Sequence, residues 1–275
     1  MIVFIDDQWV SDTEATINIK DIGILRGFGI FDYLRTYGTN PFRLTDHIDR
    51  FYNSSHLLGI TPKYSKERIA QIIHEGIIKN GFVHTNIKFI QTGGISPDGF
   101  MPAEMGTFFV YFYEAKEYPQ EMYETGTKLK TSPLMRQYVE AKTVNYAASI
   151  AEVRKAMIEG FQDIIHTDQN GDLYEATRSN LFGIREGKLI TTDQGVLFGV
   201  TRKVVLEIAR ALAIDVEYRC MNLSELRTLD EVFTTNSSQE VMPVLQINDI
   251  RIGDGKVGAL TKLLHKEFKK LTTVV

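Results

Sequence analysis

Apolar periodicity runs through most of this chain and gives way to charge near its middle. From Glu114 to Gly126 the sequence reads EAKEYPQEMYETG. Charges and one proline replace any helical or strand-like spacing there. The chain has 275 residues, and a domain usually takes roughly 100–200. The break therefore predicts two domains: a smaller one over 1–114, a linker over 115–126, and a larger one over 127–275.

Each half mixes strand-like and helix-like stretches. Ile2–Ile5, Ile87–Gln91 and Thr107–Tyr113 are rich in β-branched and aromatic residues and read as strands. His47–Leu58 and Lys66–Lys79 carry apolar residues at helical spacing; Thr61-Pro62 and Asn80-Gly81 stop them. Gly93–Gly106 is dense in Gly and Pro and reads as a long loop. In the second half, Thr127–Leu134, Asp163–Thr167, Leu181–Ile184, Lys188–Thr191, Val216–Arg219, Glu231–Thr235 and Pro243–Ile247 are predicted strands. Ala147–Glu159, Thr201–Leu212 and Leu260–Leu271 are predicted helices. Mixed elements in two unequal halves predict an α+β fold whose sheets are not a simple parallel wound array.

Composition excludes several classes of function. The formal charge of −4 argues against a nucleic-acid binder, which would carry a basic surplus or stripe. A single cysteine, Cys220, rules out an intramolecular disulfide and a cysteine-rich zinc site, and the six histidines show no ligand-like pairing, so no metal is expected. No apolar run approaches the roughly 20 residues of a membrane span. The N-terminus lacks the basic and long apolar regions of a secretory signal. The expectation is a soluble, reduced, cytoplasmic protein. The triplets at Asn53, Asn222 and Asn236 are then chance glycosylation matches.

Gly253-Asp254-Gly255-Lys256-Val257-Gly258 matches G-x-G-x-x-G. Too little chain follows for the second strand and acidic residue of a dinucleotide site, so it reads as a turn opening the last helix. Five other segments are more suggestive, each against a plainer reading. Arg50 stands one helical turn beyond Asp46 and His47; it is a surface arginine or a fork for a phosphate. Lys142 lies among small and apolar residues; it reaches to solvent or is a desolvated amine fit for a Schiff base. Glu175 to Asn180 is a hydrogen-bonded turn or a cluster with chemical work. Leu197 to Arg202 precedes a helix; Thr201 caps it, or its N–H groups attract an anion. Thr234 to Ser238 is a polar turn or a second phosphate cradle. Together these supply an amine, an acid and phosphate donors, the parts a pyridoxal phosphate site needs.

In order and spacing these segments resemble the fold-type IV pyridoxal-phosphate enzymes, the class IV aminotransferases. The resemblance runs from Gly29-Ile30-Phe31-Asp32 and Arg35 through Arg43…Arg50, Lys142…Asn145-Tyr146, Glu175…Phe182, Gly199–Arg202, Glu231–Phe233 and Gly253–Lys256. It implies a two-domain α+β subunit with pyridoxal 5'-phosphate between the domains. The larger domain would carry Lys142, and the protein would be a homodimer whose partner contributes to the substrate pocket. It implies that Lys142 is the Schiff-base lysine and the base that moves the substrate proton. Glu175 would face the pyridine nitrogen. Arg50, Val200, Thr201, Ser237 and Ser238 would hold the phosphate, and Tyr146, Asn180 and Leu197 would complete the cofactor site.

Within the family, D-amino acid aminotransferases carry a carboxylate-binding arginine and histidine where this chain has Gly93 and Phe100. Phe31-Asp32-Tyr33-Leu34-Arg35 and Lys142…Asn145-Tyr146 resemble the branched-chain type. Lys88 stands where that type has an arginine. Phe31, Tyr33, Arg35 and Lys88 are thus the expected substrate-binding residues. The resulting expectation is a transaminase using an apolar, branched-chain-like L-amino acid and a 2-oxo acid such as 2-oxoglutarate. An aminodeoxychorismate lyase, a D-amino acid aminotransferase and a non-catalytic cofactor-binding protein are the alternatives.

Overall fold

The computed structural model describes residues 1–273 and divides them into two compact units. The first comprises Met1–Lys116 together with Ala141–Asn145. Its elements are β1 (Ile2–Ile5), β2 (Gln8–Ser11), α1 (Ile22–Arg26), β3 (Gly29–Tyr37), β4 (Asn40–Pro41), α2 (Leu44–Leu58), α3 (Lys66–Asn80), β5 (Thr85–Thr92) and β6 (Phe108–Glu114). The strands form one sheet in the order β2-β1-β6-β5-β3-β4.

Side-chain spacing explains the packing of this unit. Ile69, Ile72, Ile73 and Ile77 recur on one face of α3, and Ile48 and Phe51 on one face of α2. They form one core with Ile30, Leu34, Ile87, Phe89, Val110 and Phe112 from the sheet. Ser65 caps α3 by accepting from Arg68 N, and Gly81 ends it in the left-handed conformation. Gly76 lets α3 sit close: a Cβ there would meet Phe112 Cζ at 2.0 Å.

The second unit comprises Glu117–Glu140 and Tyr146–Thr273. It contains α4 (Gln120–Thr125), β7 (Thr127–Ser132), α5 (Ala147–Ile158), β8 (Asp163–Thr167), β9 (Asp172–Ala176), β10 (Asn180–Arg185), β11 (Lys188–Thr191), α6 (Val200–Ala211), β12 (Val216–Tyr218) and β13 (Met221–Asn222). A short 3-10 helix (Leu223–Thr228), β14 (Glu231–Asn236), β15 (Glu240–Ile247), β16 (Ile250–Arg251) and α7 (Ala259–Thr272) follow. Neighbours run β10-β14-β15-β7-β8-β9, and β9 returns to β10 through the pair Glu175–Asn180. Six strands thus close on themselves. Leu129, Ile165, Leu173, Leu181, Val232 and Val244, one from each, share a single core. Most pairs are antiparallel; β7 pairs in parallel with both β15 and β8.

Three features depart from the sequence expectations. Gly29–Tyr37, legible only as a motif, is the nine-residue strand β3; all its residues but Tyr33 are buried, so no in–out alternation marks it. The expected linker ends in a helix, α4, which has no buried residue and hence no apolar stripe to detect. Lys142, expected in the larger domain, packs with the first unit. Its segment adds to the edge of β3: Phe31 N donates to Lys142 O at 2.9 Å and Val144 N to Gly29 O at 3.0 Å.

Candidate active site

Each unit carries part of the candidate chemistry. In the first, Lys142 is fixed by its backbone. Its N–H donates to Ser54 Oγ at 2.9 Å, and Ser54 in turn donates to Arg50 O at 2.9 Å. Its Nζ lies 4.6 Å from the centroid of the Phe31 ring, within range of a cation–π contact. The side chain is therefore half-buried over an aromatic surface rather than extended to solvent.

Arg50 projects from α2 toward β3. Its Nε donates to Asp32 Oδ2 at 2.8 Å and its Nη2 to Asp32 Oδ1 at 2.7 Å. His47 Nδ1 meets the same Oδ1 at 2.7 Å. Asp32 is fully buried. Burial alone would raise its carboxyl, but the Arg50 guanidinium and the His47 contact outweigh this and hold it well below the usual carboxylate range. Burial lowers His47, helped by the charges of Arg50 and Lys142 and opposed by Asp32. An ionised carboxylate only accepts, so the proton of neutral His47 sits on Nδ1.

The expected substrate residues share the other face of the same sheet. Register sets Phe31 opposite Ile90, Tyr33 opposite Lys88 and Arg35 opposite Asn86. Lys88 Nζ is 4.3 Å from the Phe31 ring centroid, and burial lowers its pKa. Arg35 is 5% exposed, its guanidinium 4.7 Å from the Tyr37 ring, and its Nε has no hydrogen-bond partner. Tyr33 OH donates to Asn86 Oδ1 at 2.6 Å. Among the described residues no carboxylate pairs with Arg35 or Lys88. A buried arginine beside a half-buried lysine, with no carboxylate, is costly unless an anion joins them. Gly93 has no room for a side chain: a Cβ would meet Ile22 Cδ1 and Phe28 Cδ1, each at 2.7 Å. Phe100 is 70% exposed.

In the second unit Glu175 is buried where β9 meets β10. Its Oε2 accepts from Leu197 N at 3.1 Å and Asn180 Nδ2 at 3.2 Å, and Arg136 Nη1 stands 3.5 Å from Oε1. Asn180 Nδ2 also donates to Leu197 O at 2.7 Å. Glu175 and Asn180 thereby pin the loop that leads into α6. Gly199 is the N-cap of α6, so Thr201 lies inside the first turn and is not the cap. The first bond of the helix runs from Lys203 N to Gly199 O. The N–H groups of Val200, Thr201 and Arg202 precede that ladder, the arrangement that suits an anion.

Ser237 and Ser238 lie in the turn after β14. Asn236 Oδ1 accepts from Ser238 N, Ser238 Oγ and Gln239 N at 2.9, 2.8 and 2.7 Å, so the Ser238 hydroxyl proton is committed within the turn. Tyr146 is the residue before α5, and its C=O accepts from Ile150 N. Thr235 stands directly opposite Asn180 across the β10–β14 ladder, and its buried Oγ1 has no partner. An unsatisfied buried hydroxyl at this place fits a site that takes a polar ligand. The G-x-G-x-x-G stretch does not: the Glu231 carboxylate accepts from Leu260 N at 3.0 Å and Thr261 N at 2.8 Å, so the chain's own acid occupies that helix start.

Residues 29–247 match the family described as amino-transferase class IV. The chain belongs to the class IV aminotransferases. Among its relatives is a Methanocaldococcus jannaschii protein provisionally named a branched-chain-amino-acid aminotransferase; the two are 30% identical over 280 residues, 99% of this chain and 97% of that one. A D-alanine aminotransferase of Listeria monocytogenes serotype 1/2a is 28% identical over 98% of this chain and 95% of its own. The fold matches a crystal structure of a T.th. branched-chain amino acid aminotransferase with pyridoxamine 5'-phosphate, with a TM-score of 0.93 and 26% identity over 98% of this chain and 94% of that one. Family membership bears out the fold-type IV architecture and the transaminase activity expected from the sequence.

Sequence reading did not single out Asp32, Ser54 or Arg136 as site residues, and it named Thr235 only as part of the Thr234–Ser238 turn. Ser54 carried a usable signal, since 47, 50 and 54 lie one helical turn apart on one face of α2. Asp32 and Arg136 acquire their roles only through partners distant in sequence.

Proposed function

We propose that this protein is a pyridoxal 5'-phosphate-dependent aminotransferase that moves the amino group of an apolar, branched-chain-like L-amino acid to a 2-oxo acid such as 2-oxoglutarate. The observation that carries the reading is Lys142, held by two backbone hydrogen bonds with its amine against the Phe31 ring. When bound, the cofactor supplies an electron sink for the pair left when the Cα–H bond breaks. Lys142 would hold the cofactor and, once released, would carry the proton between the substrate Cα and the cofactor's C4′ carbon. Glu175 would face the pyridine nitrogen and hold the proton there. Arg50, the N–H groups of Val200 and Thr201, the Thr201 hydroxyl and Ser237 would bind the phosphate, with Ser238 shaping that turn through Asn236. Tyr146 serves the phenolic oxygen, and Asn180 and Leu197 support Glu175.

Phe31 and Tyr33 offer the substrate an apolar and aromatic surface, and Arg35 and Lys88 take its carboxylate. The crowded Gly93 position and the exposed Phe100 speak against the arginine–histidine carboxylate site of D-specific relatives. We also read the protein as a cytoplasmic homodimer. Its composition and the apolar Ile95, Phe100, Met101 and Met105, each more than half exposed in the 93–106 loop, support this. No helix among the described residues is long and apolar enough to cross a membrane.

Steady-state assays with L-leucine, L-valine and D-alanine, each with 2-oxoglutarate, test the substrate. Turnover of D-alanine alone overturns the L-specific reading. Pyruvate release from aminodeoxychorismate without any acceptor points to the lyase instead. The cofactor reading predicts a yellow protein bleached by borohydride, and a Lys142→Ala variant without the borohydride-sensitive band. A wild type that stays colourless in added pyridoxal phosphate refutes it.

A further inference from the structure

We propose that Asp32 is a positioning residue that fixes the Arg50 guanidinium for binding a phosphate group. The inference rests on the reading of Arg50 as a phosphate ligand. Asp32 lies on β3 and Arg50 on α2, and the carboxylate takes the fork in a bidentate pair through Nε and Nη2. Such a pair sets both the direction and the plane of the guanidinium. The Asp32 side chain is fully buried and that of Arg50 is 10% exposed, so water does not compete for the contact.

The carboxylate is itself held. Oδ1 accepts from His47 Nδ1 and from Tyr33 N, each at 2.7 Å, besides Arg50. Four donor contacts therefore determine where the two oxygens sit, and the oxygens determine where the arginine points. Arginine has many rotamers, and ordering it during folding spares that cost when an anion arrives. Asp32 offsets part of the positive charge; its contribution is direction rather than attraction. The same helix reaches Lys142 through Ser54, whose hydroxyl accepts from Lys142 N and donates to Arg50 O. One face of α2 thus sets the place of both the arginine and the lysine.

The plainer role for Asp32 is a counter-ion that joins α2 to the sheet. The two roles differ in ligand selectivity. The full-length chain, freed of cofactor, is titrated with pyridoxal 5'-phosphate and with pyridoxal, which lacks the phosphate; melting temperatures are recorded in parallel. Asp32→Asn keeps the shape and removes the charge. It is expected to weaken pyridoxal 5'-phosphate by about tenfold or more while pyridoxal binding changes little, and Asp32→Glu should recover part of the loss. Equal weakening of both ligands, or of neither, overturns the proposal. If Asp32→Asn does not fold, Asp32→Glu decides, since a loss confined to the phosphorylated ligand is then required of it. Arg50→Gln separates the two layers. If it does not reduce the preference for the phosphorylated ligand, the reading of Arg50 fails and the proposal falls with it. If it does, and Asp32→Asn does not, only the proposal fails.

Discussion

Replacing Gly199 by alanine adds one methyl group, and its effect can be worked out from local geometry. Gly199 has φ −66°, a conformation any residue adopts. Where space allows, Gly→Ala at such a position stabilises by roughly 0.4–1 kcal/mol through the unfolded chain. Here space is lacking: the new Cβ would lie 2.0 Å from Asn180 Oδ1. That amide cannot swing aside without giving up Nδ2 to Leu197 O at 2.7 Å and Nδ2 to Glu175 Oε2 at 3.2 Å. A buried bond between neutral groups is worth about 0.5–1.5 kcal/mol and one to a charged group about 1.5–3. Losing both costs about 2–4 kcal/mol, several times the backbone gain. Thermal unfolding of Gly199→Ala should therefore drop by roughly 5–15 °C. Because Glu175 and the α6 start move with that loop, affinity for pyridoxal 5'-phosphate should fall too. A variant that melts at or above the wild-type temperature with unchanged cofactor affinity refutes the argument.

Two other perturbations address different parts of the molecule. Burial lowers the pKa of Lys88, so its charge is present at low pH and lost as pH rises through that lowered value. The KM for the 2-oxo acid should then rise on the alkaline side, and Lys88→Arg should flatten the rise, because a guanidinium keeps its proton there; identical pH profiles for the two proteins would sink this. Glu231→Ala leaves Leu260 N and Thr261 N without their acceptor at the start of α7. It should destabilise the protein by about 1–3 kcal/mol in denaturant unfolding, and an unshifted midpoint would count against the cap.

Much of the secondary structure was legible because its causes are local. Ser65 and Gly81 delimit α3, and the apolar spacing of Ile69, Ile72, Ile73 and Ile77 marks its buried face. The motif segments likewise named Lys142, Glu175 and the Gly199–Thr201 turn, since each consists of neighbours along the chain. Less legible was β3, whose residues are buried almost throughout and leave no alternation to read.

By itself, then, the sequence determined the family, and it pointed to Lys142, Glu175 and the start of α6 as candidates, because those reside in contiguous residues. Only the tertiary structure decided that Lys142 adds to the edge of β3, that Asp32 holds Arg50, that Arg35 and Lys88 share a sheet face without a carboxylate, and that Glu231 caps a helix 29 residues further on. Strand register and buried charge pairing depend on which distant segments meet and exclude water. Local propensity reaches only about one helical turn along the chain.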